Sequence, residues 1–368
     1  MIIAGIIALV HITLMCWLRL TWNRIPRFNP AGMANVKISV IIPVRNEESN
    51  IAQLLEDLKN QDYRQDHFEV IVVNDHSTDD TVQVVEQAIS EIDQQFRLIH
   101  LADAKGKKAA ATFGVQAASG DFILCTDGDC RVPRTWISTY AAFIKAKSPY
   151  MVSGPVKMTG SRFFDTIQAM DFSSLQAFGA TSLEQGMASS CNGANMAYSK
   201  EAFIAVDGYK GNENLASGDD EFLLQKIFAQ FPDKVFFMKS PAAIVETSPK
   251  NSLKGFIQQR VRWASKWRFY QDFWMRVSWV FTYVDFMSVF FITIAMLFGY
   301  LAWLPGCLII AARWMAEMWY LRGPVSFLKI RGNILHLLTV SFIYPFYVLF
   351  LGFASIFGAY SWKGRRYG

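Results

Sequence analysis

The stretch "DFILCTDGDC" (residues 121–130) sets an apolar run directly before two aspartates one residue apart, with a cysteine on either side of the pair. A short apolar run ending in polar residues reads as a buried strand. Working outward, "KISVIIPV" (37–44) and "FEVIVVND" (68–75) read the same way. Between them, "EESNIAQLLEDLKN" (47–60) and "TDDTVQVVEQAISEI" (78–92) carry apolar residues at helical spacing. Strands alternating with helices predict an α/β fold, a mostly parallel sheet covered on both faces. Such sheets bind ligands beyond the carboxyl ends of their strands. All three strands end there in polar residues: Arg45-Asn46-Glu47, Asn74-Asp75 and Asp127-Gly128-Asp129.

The rest of the chain is of a different character. Its 368 residues suffice for one large domain or two ordinary ones, and 52 % are hydrophobic, with 30 Phe and 11 Trp, against 18 % charged. The charges concentrate between about residues 36 and 275. That is the pattern of a polar domain carried on membrane segments. A net charge of +5 suits anionic lipid and an anionic substrate and is too diffuse to indicate nucleic acid. The five cysteines (Cys16, Cys125, Cys130, Cys191, Cys307) show no CxxC spacing, which argues against a disulfide framework and for a reducing compartment.

Residues 1–21 are long enough to span a bilayer, lack a basic leader and a small-residue cleavage site, and are followed by Arg24 and Arg27. They are expected to form an anchor whose carboxyl side is cytoplasmic. Residues 36–250 form the α/β domain, 251–275 an amphipathic interfacial helix, and 276–360 a membrane region. Three apolar stretches in that region (277–303, 304–321 and 332–360) predict three spans, with a turn near Pro305. The loop "LRGPVSFLKIRG" (321–332) and the tail "SWKGRRYG" (361–368) are both basic, and three spans would put them on opposite sides, against the positive-inside rule.

Asp127 and Asp129 suit a hard cation, Mg²⁺ or Mn²⁺, which prefers carboxylate and phosphate oxygens. Cys125, inside the strand, is expected to be a small buried hydrophobe, and Cys130 to point away from Asp129 if the strand continues. Asp75 reads as an acceptor for a nucleobase or ribose, whereas Ser77, Thr78 and Asp79 can cap the following helix. "KGKKAAATFG" (105–114) is either a solvated basic loop or a phosphate contact. Asp219 and Asp220 fit a helix N-terminus, and equally a carboxylate that deprotonates an alcohol. In "SLKGFIQQRVRWASKWRFY" (252–270), Leu253, Ile257, Val261, Ala264 and Trp267 lie roughly along one face of an interfacial helix. Gln259, Arg262 and Trp263 project elsewhere, where lipid does not explain them. "SRFFDTIQAMDFSSLQAF" (161–178) reads as a second interfacial helix or a core helix.

Taken in order, "IIPVRNEE", "VVNDHSTDDT", "GKKAAATFG", "TDGDC", "NGANMAYSKEAF", "SGDDEFL" and "QQRVRW" resemble the membrane-bound GT-A glycosyltransferases of family 2. That group includes the cellulose, chitin and hyaluronan synthases and ceramide glucosyltransferase. The resemblance implies that Pro43 and Glu47 line a nucleobase pocket, Asp75 contacts the nucleoside and Lys107 lies near the diphosphate. It further implies that Asp127 contacts the nucleotide sugar and the metal, Asp129 holds the metal, and Asp220 is the general base. Gln259, Arg262 and Trp263 match the Q-x-x-R-W motif, with Arg262 on the leaving diphosphate and Trp263 beside the acceptor. Thr112 stands where the family usually has Asn, and Asp219 where it often has Glu.

Few spans make a poor polymer channel. The expectation is therefore inverting, metal-dependent transfer from a nucleoside-diphosphate sugar, UDP-linked, to a membrane lipid or lipid-linked acceptor. The enzyme would sit in a bacterial inner membrane with its catalytic domain in the cytoplasm. A processive polysaccharide synthase is the near alternative. A non-catalytic nucleotide-sugar-binding protein has no need of the base, and a nucleotidyltransferase does not account for Q-x-x-R-W.

Overall fold

A computed structural model describes residues 2–32, 34–92, 95–211, 218–266, 273–357, 360–362 and 365–367. In chain order the elements begin with helix α1 (Ile2–Arg24), strand β1 (Ile38–Val44), α2 (Ile51–Lys59), β2 (Phe68–Asn74), α3 (Thr81–Ser90) and β3 (Phe96–His100). There follow α4 (Lys107–Ala117), β4 (Phe122–Cys125), β5 (Cys130–Arg131), α5 (Trp136–Lys147), β6 (Met151–Ser153), β7 (Val156–Met158) and α6 (Phe163–Glu184). Next come β8 (Met196–Ser199), α7 (Lys200–Ala205), α8 (Asp219–Gln230), β9 (Val235–Phe237) and β10 (Val245–Thr247). Helices α9 (Leu253–Ala264), α10 (Phe273–Leu297), α11 (Trp303–Phe327) and α12 (Ile334–Phe357) follow, then a hairpin of β11 (Tyr360–Trp362) and β12 (Arg365–Tyr367).

The chain divides into two compact units. One comprises Ile25–Thr159 and Phe178–Ser248, and the other Met1–Arg24, Gly160–Ala177 and Pro249–Gly368. The first is built on a seven-stranded sheet in the order β3-β2-β1-β4-β8-β6-β9. The three strands predicted from apolar runs are its centre: β1 pairs in parallel with both β2 and β4. They are continuous apolar runs because helices cover both faces, so no strand side is left for polar residues. Strand β8 runs antiparallel between β4 and β6, an insertion that the apolar runs do not predict. Its first residue, Met196, lies opposite Cys125, the last of β4. The turn that leads into β8 therefore reaches the sheet at the carboxyl edge of β4. A three-stranded sheet, β5-β10-β7, completes the unit.

Packing under α4 is close. A Cβ on Gly114 would sit 2.6 Å from Ile41 Cγ2, so glycine lets this alanine-rich helix press onto the sheet. Ile41, Ile71, Val73 and Ile123 from the strands and Ala110, Ala111 and Val115 from α4 form one buried cluster.

The second unit is helical. Among the described residues, three of its helices are long and apolar enough to cross a membrane, by length and composition: Ala4–Arg24, Arg276–Leu297 and Ile334–Ser355. Only two lie toward the carboxyl end, where hydropathy predicts three. Helix α11, at 25 residues, is as long as the others but carries Arg313, Glu317 and Arg322. Two of those charges are enclosed. His11 of α1 contacts Asp285 Oδ2 at 2.6 Å and Glu317 Oε1 at 3.2 Å, and Arg313 Nη1 donates to Asp285 Oδ1 at 3.0 Å and Ser288 Oγ at 3.2 Å. The four side chains are 11 % exposed or less. Two carboxylates, one guanidinium and one imidazole sum to zero when the imidazole carries its proton. The turn before α11 covers 298–302, with Gly299 at φ +74°, and Pro305 lies in the helix's first turn. Helix α6 buries Ala169, Met170, Asp171 and Phe172 among others, which makes it a core helix.

Candidate active site

Two loops at the carboxyl edge are tied to each other before they meet any ligand. After β1, Arg45 Nη1 donates to the carbonyls of Asp75 (2.8 Å) and His76 (2.6 Å). Asn46 Oδ1 accepts from Thr78 N at 2.9 Å, and Asn46 N donates to Ser77 Oγ at 3.1 Å. Both turns hold a non-glycine residue in the left-handed region, Asn46 at φ 53° and His76 at φ 55°, a conformation that persists only where surrounding bonds impose it. Asp79, of the expected capping cluster, accepts from Thr81 N at 3.2 Å at the start of α3.

Each predicted nucleotide-side residue lies in this region. Pro43 is half-buried next to the end of β1, and Glu47 is buried, donating through its amide to Thr81 Oγ1 at 2.7 Å and accepting from Asn50 at 3.0 Å. Asp75 is 3 % exposed, and its Oδ2 accepts from Gly106 N at 3.0 Å. That bond joins the end of β2 to the start of α4, because Gly106, at φ +103°, is the residue before Lys107. The middle residue of the D-G-D turn also has a packing reason. A Cβ on Gly128 would lie 3.0 Å from Glu47 Cγ and 3.2 Å from Val44 Cγ1.

Lys107 is the centre of the acidic cluster. Its Nζ lies 2.6 Å from Asp127 Oδ1 and 3.1 Å from Asp219 Oδ2. Burial by itself would lower the lysine's pKa, but the two carboxylates more than offset it and hold it well above the usual lysine range. Burial would likewise raise Asp219, yet the charge and hydrogen bond of Lys107 leave it below the usual carboxylate range. Asp220, the next residue, is held separately: Oδ2 accepts from Gly193 N at 3.0 Å and Oδ1 from Glu221 N at 2.9 Å. Both oxygens are thus oriented by backbone amides. The turn carrying Gly193 is fixed by Asn195, fully buried, whose Oδ1 accepts from Trp136 Nε1 and Tyr140 OH at 2.9 Å each. Its Nδ2 donates to the carbonyls of Pro155 (2.7 Å) and Ala243 (2.8 Å). Neither Gly193 nor Asn195 was singled out by sequence, and only their place in "NGANMAYSKEAF" hinted at them.

The cysteines behave as thiols. Burial pushes Cys125 up to about 12, and burial with the charges of Asp129 and Asp127 raises Cys130 well above its usual value. Cys130 does not point away from Asp129: its Sγ lies 3.8 Å from Asp129 Oδ1, because the chain turns at 128–129 instead of continuing the strand. A neutral thiol is a poor ligand for a hard ion. Among the described residues there is no group of three or more His, Cys, Asp or Glu side chains able to hold a metal. Asp127 and Asp129 still fit a divalent cation whose remaining ligands come from a diphosphate, the mode usual for Mg²⁺. The ammonium of Lys107 against Asp127 shows that this spot attracts positive charge.

Gln259, Arg262 and Trp263 lie on α9, in the helical unit, and all three are half-buried. The face that α9 buries within the protein only partly overlaps the apolar stripe assigned to lipid. Phe256, Arg260 and Val261 are buried, while Leu253 is 61 % exposed, and Trp267 lies outside the described residues. Arg260 escaped the sequence reading altogether. It is 2 % exposed and donates from Nε to Asp171 Oδ2 of α6 at 2.8 Å.

The parallel sheet with its antiparallel β8, and a carboxylate cluster at the strand ends, define a GT-A type domain. The same fold is seen in a mannosyltransferase, PcManGT, from Pyrobaculum calidifontis, solved with GDP-Man and Mn²⁺, at a TM-score of 0.60 and 18 % identity over 97 % of both chains. Residues 39–206 match the family model of glycosyl transferase family 2. Among curated proteins it is similar to glycosyltransferase AglE of Haloferax volcanii, at 33 % identity over 122 residues (33 % of this chain, 40 % of the relative). It is also similar to the undecaprenyl-phosphate 4-deoxy-4-formamido-L-arabinose transferase of Proteus mirabilis, at 35 % over 98 residues (26 % and 30 %). A third relative is the poly(ribitol-phosphate) β-N-acetylglucosaminyltransferase TarS of Staphylococcus aureus, at 34 % over 109 residues (30 % and 19 %). The match thus spans 40 % or less of each relative's own length.

Proposed function

We propose that the protein is an inverting, metal-dependent glycosyltransferase that moves a sugar from a nucleoside-diphosphate donor, UDP-linked, to a membrane lipid or lipid-linked acceptor. The observation that carries this is the convergence of Lys107, Asp127, Asp219 and Asp220 at the strand ends of a family 2 domain. In this reading the loops after β1 and β2, with Pro43, Glu47 and Asp75, receive the nucleoside. Asp127 and Asp129 hold Mg²⁺ or Mn²⁺, which supplies positive charge to the leaving diphosphate. Mn²⁺ is the first ion to try, because the mannosyltransferase of like fold was solved with it.

Asp220 takes the proton of the acceptor hydroxyl. Its two backbone amide bonds fix the carboxylate's direction, as general-base work on a positioned hydroxyl requires. Attack by that hydroxyl breaks the bond between the anomeric carbon and the diphosphate oxygen in one displacement, inverting the centre. Arg262 stabilises the departing diphosphate and Trp263 flanks the acceptor. A membrane acceptor is supported by the three apolar helices and by a relative whose name specifies an undecaprenyl-phosphate substrate. The catalytic domain would then face the cytoplasm from a bacterial inner membrane, beside the basic segment that follows α1.

The test is nucleoside-diphosphate release by the purified full-length protein over a panel of UDP- and GDP-sugars, with and without Mn²⁺ or Mg²⁺, and with nanodiscs of total polar lipid as acceptor. Release that needs one sugar, a metal and lipid is the expected result. Release without metal overturns the metal assignment, and release of long polymer from the first turnovers overturns single transfer.

A further inference from the structure

We propose that Arg260, seated on Asp171, is a positioning residue for the acceptor end of the site, setting the indole of Trp263 and the amide of Gln259. The proposal rests on the reading above, in which Trp263 flanks the acceptor. Its own support is geometric and lies within the helical unit. The Arg260 guanidinium carbon is 4.2 Å from the centroid of a Trp263 ring and 4.8 Å from the Phe256 ring. Nη1 donates to Gln259 Oε1 at 3.3 Å. One side chain therefore touches two of the three Q-x-x-R-W residues. On the far side Nε donates to Asp171 Oδ2 at 2.8 Å, and Nη2 lies 2.6 Å from the same oxygen.

The spacing explains how one helix builds this. Residues 256, 260 and 263 fall at i, i+4 and i+7, a single face, so the guanidinium is layered between two aromatic rings. Neighbours restrain both rings: Phe256 stacks on Tyr347 of α12, with centroids 5.6 Å apart at 22°, and Trp263 meets Phe172 of α6 at 5.7 Å. Arginine suits the position because its plane can stack and donate at once, which an ammonium cannot do.

Stability alone is a weak reason for such a pair. Enclosed ion pairs are often no better than apolar residues of the same volume. This one also leaves Asp171 Oδ1 without a hydrogen-bond partner among the described residues, although Asp171 is only 4 % exposed. What the pair gains is a fixed plane for Trp263. An indole that stacks on a sugar or polar lipid headgroup must present its face at one angle, and a rotation of the ring would cost acceptor binding while leaving the donor side intact.

The experiment uses full-length protein in nanodiscs of total polar lipid and the variants Arg260→Lys, Trp263→Phe and their combination. Arg260→Lys keeps the charge and loses the plane. The first readout needs no turnover: the emission of Trp263, taken as the difference between proteins with and without Trp263→Phe, in Arg260 and in Lys backgrounds. A red-shifted, more acrylamide-accessible Trp263 in the Lys background is expected, and an unchanged difference spectrum overturns the proposal.

The second readout is kinetic, with the donor found in the release panel and the nanodisc lipid as acceptor. Arg260→Lys should raise the apparent acceptor KM roughly tenfold, the order of a desolvated cation–π contact, with the donor KM unchanged within about twofold. On a Trp263→Phe background the same change should add less than about twofold, because the two residues act as one. Independent, multiplicative effects, or an equal loss on the donor side, overturn it. If no donor and lipid give release, the enzymatic reading itself fails, and the emission difference still decides whether Arg260 sets Trp263.

Discussion

Arg313→Met should be among the most damaging single changes in the helical unit, and a second mutation should relieve it. Arg313 bonds Asp285 and Ser288, and Asp285 also holds His11, which in turn meets Glu317. Removing the guanidinium leaves two carboxylates facing one imidazole in an enclosed space. Breaking an enclosed ion pair from one side costs about 3–5 kcal/mol. In a chain of this size that corresponds to a fall of about 4–7 °C in unfolding midpoint. The double variant Arg313→Met/Asp285→Asn removes both members of the pair and leaves His11 with Glu317, a neutral couple at 3.2 Å. It should recover roughly half or more of the loss, a coupling typical of residues in one network. The assay is thermal unfolding in detergent, followed by tryptophan emission, for the wild type, both single variants and the double. A double variant whose midpoint falls by the sum of the two singles refutes charge balance as what holds α1, α10 and α11 at this point.

Three further outcomes follow from the catalytic unit. Asp220→Asn should abolish transfer while metal-dependent nucleotide-sugar binding, measured by calorimetry, stays largely intact; full transfer in that variant removes Asp220 from the role of base. Cys125→Ser with Cys130→Ser should leave the Mn²⁺ or Mg²⁺ dependence of nucleotide release unchanged, and a lost metal response would make a thiol a ligand after all. The Lys107–Asp219 pair should be insensitive to pH across the neutral range. A depressed carboxyl loses its contribution only as pH falls below the ordinary carboxylate range, and a raised ammonium only as pH climbs beyond the ordinary lysine range. The melting midpoint of the wild type should therefore carry no contribution from this pair's titration between about pH 5 and 9. In Lys107→Met, where the burial of Asp219 loses its main offset, the deficit against wild type should shrink as pH falls toward the acid end. A deficit that grows there would contradict the pairing.

Much of the catalytic unit is legible in the sequence because its strands are buried on both faces. Runs such as Ile38–Val44 stand out against their amphipathic neighbours, and their polar ends fall on one edge. Strand β8 is hidden by the same logic. Four residues, "MAYS", lack the length of an apolar run, and nothing local specifies that they enter antiparallel beside β4. The turn before β8, with Gly193 under Asp220, has no local signal for that reason, and only the motif "NGANMAYSKEAF" marks it. Lys107 was assigned to a diphosphate through the motif it sits in, whereas its contacts with Asp127 and Asp219 bridge residues far apart in sequence. In the helical unit, periodicity marks only the apolar stripe of α9, and a stripe drawn through apolar residues cannot reveal that Arg260 is buried. The charge of that side chain is hidden only because Asp171 waits on another helix. Helix α11 shows a related limit, because its apolar residues read as a span while Arg313 and Glu317 within it find their partners on other helices.

That the helical unit is assembled from three separate stretches of chain has a consequence in time. Asp171 precedes Arg260 by 89 residues, and His11 precedes Asp285 by 274. At about 5–20 residues per second on the ribosome, Asp171 waits roughly 4–18 s for its partner and His11 roughly 14–55 s. Through that interval the first helix sits with an unmatched imidazole, and the strands of the α/β sheet emerge and can pair before the later helices exist. A nascent chain stalled short of Asp285 would thus be a target for quality control even with every strand of its sheet already made.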